Sequence, residues 1–156
     1  MARRIHALLD EYGESHQNPT NKAVHWVCVP VIVWTVMVFV YAIPQPGFLA
    51  AISWLNWLTL VLALSLLYYV ILSPTLAVGF ALYAGLCYWL TLALDAVTDT
   101  PVWKIGAVIF VLAWVGQFWG HKVEGKKPSF LKDVQFLLIG PAWLLSFLYK
   151  RLGIPV

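Results

Sequence analysis

Charged residues are scarce in this sequence, and their scarcity excludes a large class of proteins. Asp, Glu, Lys and Arg together make up 11% of the 156 residues, whereas hydrophobic residues make up 62%. An average soluble domain carries roughly 25% charged residues. Between Ala23 and Leu94 there is no charged residue, although a surface helix of a soluble protein needs a polar face. The composition therefore excludes a water-soluble globular protein and predicts an integral membrane protein.

Cysteine and the common catalytic motifs are also lacking. Cys28 and Cys87 lie singly within apolar stretches and have no CxxC spacing, so neither a thiolate metal site nor a disulfide framework is indicated. The sequence contains no HExxH pair, nucleophile elbow, phosphate-binding loop or dinucleotide fingerprint. A catalytic function must therefore reside in other polar residues, which are few in this chain.

The uncharged stretch is too long for one membrane crossing, since about 20 apolar residues span the hydrocarbon core. The segments 43–47 (IPQPG) and 72–74 (LSP) interrupt it where turns are expected. We predict a single all-α domain, a polytopic membrane helix bundle with four to five transmembrane helices. The predicted spans are about 23–43, 48–72, 76–94 and 103–120. A fifth apolar stretch at about 134–149 is short and contains a Gly-Pro pair, so it is either a span or a re-entrant hairpin.

Basic residues near span ends indicate the orientation, because they are retained mostly on the cytoplasmic side. Residues 1–22 and 121–133 are rich in Lys and Arg, whereas 95–101 contains only two acidic residues. Four crossings place both basic segments, and all four histidines, at the cytoplasmic face of what we expect to be a bacterial inner membrane. Lys150 and Arg151 favour a hairpin for the fifth stretch. Since topology accounts for the net charge of +3, nucleic-acid binding is not expected.

An amphipathic helix is predicted at the interface over residues 1–17. Its apolar stripe has the i, i+3, i+4, i+7 spacing typical of a helix and consists of Ile5, Leu8, Leu9 and Tyr12. Four residues further on, His16 continues the stripe. Asn18-Pro19 then ends this helix and begins the next, because Asn is a good N-cap and Pro a good first residue. His25 follows about two turns into that second helix.

A second polar group lies at the end of the fourth span. Gln117, His121 and Glu124 follow an i, i+4, i+7 spacing and share one helical face. A polar amide at this depth is costly unless it faces the bundle interior or a cavity. By the predicted topology, His121 lies at the same depth and the same membrane face as His16 and His25. We therefore expect the three imidazoles to converge, with Asn18 and Asn21 among their polar neighbours.

Several neutral imidazoles without thiolates suit a borderline divalent metal ion. Zinc would generate hydroxide for hydrolysis and iron(II) would bind oxygen, and the spacing does not choose between them. A histidine at the membrane interface also commonly anchors a span end, which is the alternative for each of these residues. His6 lies off the apolar stripe, and its membership of the site is open.

The residues that carry this pattern resemble a known family. YGESHQNPTNKAVHWVCVP (12–30), GQFWGHKVEGKKPSF (116–130) and LLIGP (137–141) are similar to the Mpo1-like family. The resemblance implies an iron(II)-dependent dioxygenase in a membrane, which shortens 2-hydroxy fatty acids by one carbon through α-oxidation. Its partners are then a 2-hydroxy fatty acid, molecular oxygen and membrane lipid.

Carried over position by position, the resemblance makes His16, His25 and His121 the iron ligands. Asn18 and Asn21 match the motif and are expected to contact either the ligands or the substrate. Gln117 is expected to act in catalysis together with these asparagines. Glu124 has three roles open, as a ligand, a base or a residue that supports a ligand.

The 2-hydroxy carboxylate can chelate iron(II) through two oxygens. Lys122, Lys126 or Lys127 would then attract the carboxylate, unless these lysines only set the topology. Two other functions stay open. One is a zinc-dependent membrane lipid hydrolase with Glu124 as the base. The other is a non-enzymatic membrane scaffold or lipid-binding protein.

Overall fold

The fold is all-helical, as predicted, in a computed structural model that describes residues 2–125 and 136–156. Helix accounts for 79% of it, and the described residues contain seven helices and no strand. In chain order the helices are α1 (Ala2–Gly13), α2 (Pro19–Tyr41), α3 (Gly47–Ala50), α4 (Trp57–Leu72), α5 (Pro74–Val97), α6 (Val102–Glu124) and α7 (Ile139–Leu152). By length and composition α2, α5 and α6 can each cross a membrane, whereas α4 is apolar but shorter. The chain is therefore an integral membrane protein.

The stretch predicted as a span at about 48–72 does not form one continuous helix. The chain forms the short helix α3 and then a turn, and α4 begins only at Trp57. Asn56 is the reason, because its side chain accepts the backbone N–H of Thr59 while the Thr59 hydroxyl accepts the backbone N–H of Asn56. This reciprocal cap satisfies backbone groups that would otherwise be left without partners at the helix start. A single amide side chain thus divides an otherwise uniform apolar stretch.

The first and last predicted elements also differ in extent. α1 ends at Gly13, so His16 lies in the turn that follows, where its backbone N–H donates to the Gly13 carbonyl at 3.0 Å. Ile5, Leu9 and Tyr12 of the apolar stripe are buried and Leu8 is partly buried, and α1 packs against α7 and α4. The stretch predicted at about 134–149 corresponds to α7, and its first two residues lie outside the described part. Whether α7 crosses the membrane stays a prediction.

Helices α2 and α6 pack against each other in antiparallel directions through glycine. A Cβ atom at Gly106 would lie 2.9 Å from Val38 Cγ1, and one at Gly120 would lie 2.5 Å from Asn21 Oδ1. Small residues let membrane helices approach closely, because lipid-exposed helices associate through packing rather than through the hydrophobic effect. The two contacts lie at opposite ends of the helix pair. The start of α2 is therefore held against the end of α6.

Gly106→Leu tests this packing at the end far from the histidines. Because Val38 is fully buried and cannot move aside, we expect the free energy of unfolding in detergent to fall by about 1–3 kcal/mol. Gly85→Leu is the matched control, since Gly85 is exposed on α5 and a Cβ there has no neighbour within 4 Å. Equal stability of the two variants in thermal unfolding would contradict close α2–α6 packing.

Candidate metal centre

Three buried histidines lie together where α1, α2 and α6 meet. His16 comes from the turn after α1, His25 from the second turn of α2, and His121 from the last turn of α6. Each offers one ring nitrogen, and these three atoms lie within 4.8 Å of one another. No more than 4% of any of the three residues is exposed. This histidine cluster could hold a metal ion, and it is the one such group within 2–125 and 136–156.

Backbone carbonyls orient two of the rings. His16 Nδ1 lies 2.6 Å from the Tyr12 carbonyl oxygen, and His25 Nδ1 lies 2.9 Å from the Asn21 carbonyl oxygen. A carbonyl can only accept a hydrogen bond, so in each ring Nδ1 carries the proton, and in the neutral ring Nε2 is then the atom with the lone pair. This arrangement is the usual one for metal-binding histidines, whose second nitrogen donates to a carbonyl or carboxylate.

Aromatic rings enclose the histidine cluster. The Tyr12 ring stacks on His16 with centroids 4.4 Å apart and planes inclined by 14°. Trp143 of α7 contacts the same imidazole, with a centroid distance of 5.3 Å. Sequence reasoning placed Tyr12 on the apolar stripe and at the start of the family motif but gave it no contact with the metal ligands, and it gave Trp143 no role in the site. No spacing signal links Trp143 to a histidine so far away in the chain.

Glu124 makes hydrogen bonds to the α1–α2 turn instead of joining the histidine cluster. One carboxylate oxygen accepts the backbone N–H of Gln17 at 2.8 Å. The other accepts the backbone N–H of Asn18 at 2.9 Å and the side-chain amide of Asn21 at 3.0 Å. Both oxygens are thereby engaged at the positive N-terminal end of α2. These contacts favour a positioning role, in which Glu124 ties the turn that carries His16 to the end of α6.

The two asparagines are likewise held by the surrounding backbone. The Asn18 side chain accepts the backbone N–H of Thr20 at 2.8 Å and so caps α2. Asn21 is fully buried, and its amide also donates to the Ser15 carbonyl at 3.3 Å. The backbone carbonyl of Asn21 orients the His25 ring, as described above. These contacts support the sequence-based expectation that Asn21 supports a ligand, whereas Asn18 acts on helix geometry.

Gln117 lies beside the histidine cluster in a narrow cleft that residues of α1, α2, α6 and α7 line. Only 7% of the residue is exposed, and its amide oxygen has no hydrogen-bond partner among the described residues. His25 and Tyr12 also line the cleft. Its apolar wall on α2 consists of Val29, Ile32 and Val33. The cleft is small, with a volume of about 30 Å³, and it places the Gln117 amide beside an apolar wall.

The remaining candidates lie outside the histidine cluster. His6 is exposed on α1 and lines a separate cavity that it shares with Asp10 and Lys150. Lys122 is exposed. Lys126 and Lys127 lie outside the described residues, so the predicted attraction of a carboxylate to them stays a prediction.

Glu124→Gln tests the positioning role, because it places a donor amide group among three N–H donors. We expect the free energy of unfolding to fall by about 1–2 kcal/mol, the usual scale for lost hydrogen bonds to a charged group at a part-exposed site. Thermal unfolding in detergent measures the change. Glu11→Gln, at an exposed position of α1, is the control and should leave stability unaltered. A variant of Glu124 as stable as this control would rule out the tie between the turn and α6.

Comparison with known proteins gives a match at the level of the family. A family model described as 2-hydroxy-palmitic acid dioxygenase Mpo1-like covers residues 2–152. No curated protein and no solved structure matches the chain. The match includes all three members of the histidine cluster as well as Gln117 and Glu124. Because it covers nearly the whole sequence, this membrane protein belongs to the Mpo1-like family.

Proposed function

We propose that the protein is an iron(II)-dependent dioxygenase that converts 2-hydroxy fatty acids into fatty acids one carbon shorter. The proposal rests on the histidine cluster, three buried imidazoles with one nitrogen each within 4.8 Å of the others, in a member of a family described as 2-hydroxy-palmitic acid dioxygenase. The positive-inside rule supports a location of the cluster at the cytoplasmic face of the membrane.

The donor atoms of the site fit a divalent iron. Imidazole nitrogen suits iron(II) and zinc alike, and three protein ligands leave positions for a substrate and for oxygen. A zinc hydrolase would need a base beside the metal, and Glu124 was the candidate for it. Both Glu124 oxygens accept hydrogen bonds from the α1–α2 turn, which disfavours that role. The geometry therefore favours the oxygen-dependent chemistry over hydrolysis.

In this reaction His16, His25 and His121 would hold the metal. When bound, iron(II) supplies the redox chemistry that lets dioxygen react with the 2-hydroxy acid. One dioxygen converts 2-hydroxypalmitate to pentadecanoate, carbon dioxide and water, so that the C1–C2 bond breaks and the C2 carbon becomes the new carboxyl. The Tyr12 and Trp143 rings pack against His16 and would limit the access of water to the cluster.

The histidine cluster is expected to bind one iron(II) per chain. His25→Ala should weaken iron binding roughly 10- to 100-fold or more, because it removes a ligand from a set of three. Metal analysis of protein loaded and purified under nitrogen measures the change. His6→Ala is the matched control and should bind iron like the wild type, since His6 is exposed on α1. Unchanged iron content in His25→Ala would favour the non-enzymatic scaffold.

The oxygenase reaction is expected only when iron, oxygen and the 2-hydroxyl are all present. Iron(II)-loaded protein is mixed with 2-hydroxypalmitate under nitrogen and then exposed to air, and pentadecanoate is measured by mass spectrometry. Palmitate, zinc-loaded protein and continued exclusion of air should each give no product. Failure of fully iron-loaded protein to form pentadecanoate would refute the proposed activity on this substrate.

A further inference from the structure

At the polar end of the cleft lies a buried hydrogen-bond acceptor that a metal ion in the histidine cluster would leave without a donor. Gln117 Oε1 is a buried acceptor without a partner among the described residues, in the last two turns of a membrane-spanning helix. Such a group is unfavourable unless something donates a hydrogen bond to it. The cleft that Gln117 lines also contains His25, so a molecule beside the histidine cluster is within its reach. The donor is therefore expected to come from that molecule.

The small volume of the cleft, about 30 Å³, indicates which part of a fatty acid could enter it. A group of the size of a hydroxyl fits this space, whereas an acyl tail does not. With the 2-hydroxyl beside Gln117, the C2 carbon lies at the mouth of the cleft near His25, which also lines the cleft. The acyl tail then extends outside the cleft.

We propose that Gln117 accepts a hydrogen bond from the 2-hydroxyl of the substrate and thereby selects 2-hydroxy fatty acids over unsubstituted ones. The proposal rests on the proposed function, from which the substrate class is taken. A hydroxyl donates to the amide oxygen, whereas the methylene of an ordinary fatty acid leaves that oxygen buried without a partner. Sites built to bind a substrate hydroxyl reject analogues that lack it for this reason.

The same contact selects between mirror-image substrates. The carboxylate is directed to the histidine cluster, the hydroxyl to Gln117 and the tail out of the cleft, which is too small for it. Three different substituents of C2 then have three different positions. In the opposite enantiomer the hydroxyl and the hydrogen exchange places, so that the hydroxyl points away from Gln117. A preference for one enantiomer of the 2-hydroxy acid is therefore expected in binding as well as in turnover.

The test is a binding measurement under nitrogen, where no turnover occurs. Iron(II)-loaded wild type and Gln117→Met are titrated with both enantiomers of 2-hydroxypalmitate, with palmitate and with 2-oxopalmitate, each in competition with a fluorescent fatty acid. The 2-oxo acid can chelate a metal but cannot donate to Gln117. We expect the wild type to bind one hydroxy enantiomer roughly 10- to 100-fold more tightly than the other enantiomer and the 2-oxo acid. In Gln117→Met both ratios should fall about tenfold, with palmitate affinity unchanged.

The results of this binding measurement are read against a control variant. Gln45→Met, at an exposed connection, is the control for the substitution and should keep the wild-type ratios. A Gln117→Met protein with normal iron content and undiminished ratios would overturn the role of Gln117. Equal wild-type affinity for the favoured enantiomer and the 2-oxo acid would do so without any variant. Equal wild-type affinity for 2-hydroxypalmitate and palmitate would also overturn that role, whereas the proposed function is refuted only when fully iron-loaded protein forms no pentadecanoate.

Discussion

The close antiparallel contact between α2 and α6 determines where every polar group of the site can lie. Because the glycines of α6 leave no side chain between the helices, the first turns of α2 approach the last turns of α6 directly. His25 and His121 thereby face each other, with ring centroids 5.1 Å apart. The third imidazole depends on this contact as well, since the turn that carries it is tied to Glu124 at the end of α6.

Much of this architecture could be predicted from the sequence, because it follows from properties that are local in the chain. The lack of charge indicates a membrane protein, and the Asn18-Pro19 pair indicates the break before α2. The break before α4 was missed because one capping amide, Asn56, outweighs the apolar character of its neighbours. A hydropathy pattern averages over many residues and does not detect such a single polar side chain.

Only part of the site could be predicted from the sequence, and the reason is again physical. Three histidines in a chain with few polar residues were a strong signal, and predicted topology was enough to bring them to one depth. The role of Glu124 depends on the direction of its two oxygens, which spacing alone does not specify. The contact of Trp143 with His16 joins residues far apart in the chain, and it depends on how α7 packs against the turn. Side-chain direction and long-range packing become known only once the helices are placed.

The separation of the three histidines along the chain bears on how the protein is made. His16 and His25 are synthesised early, whereas His121 follows roughly a hundred residues later, after about 5 to 20 seconds of translation. During that interval the first two imidazoles have no third one to complete the cluster. Any metal ion that the cluster holds can thus be captured tightly only after α6 has entered the membrane and packed against α2. Acquisition of the ion would then mark the completion of helix assembly.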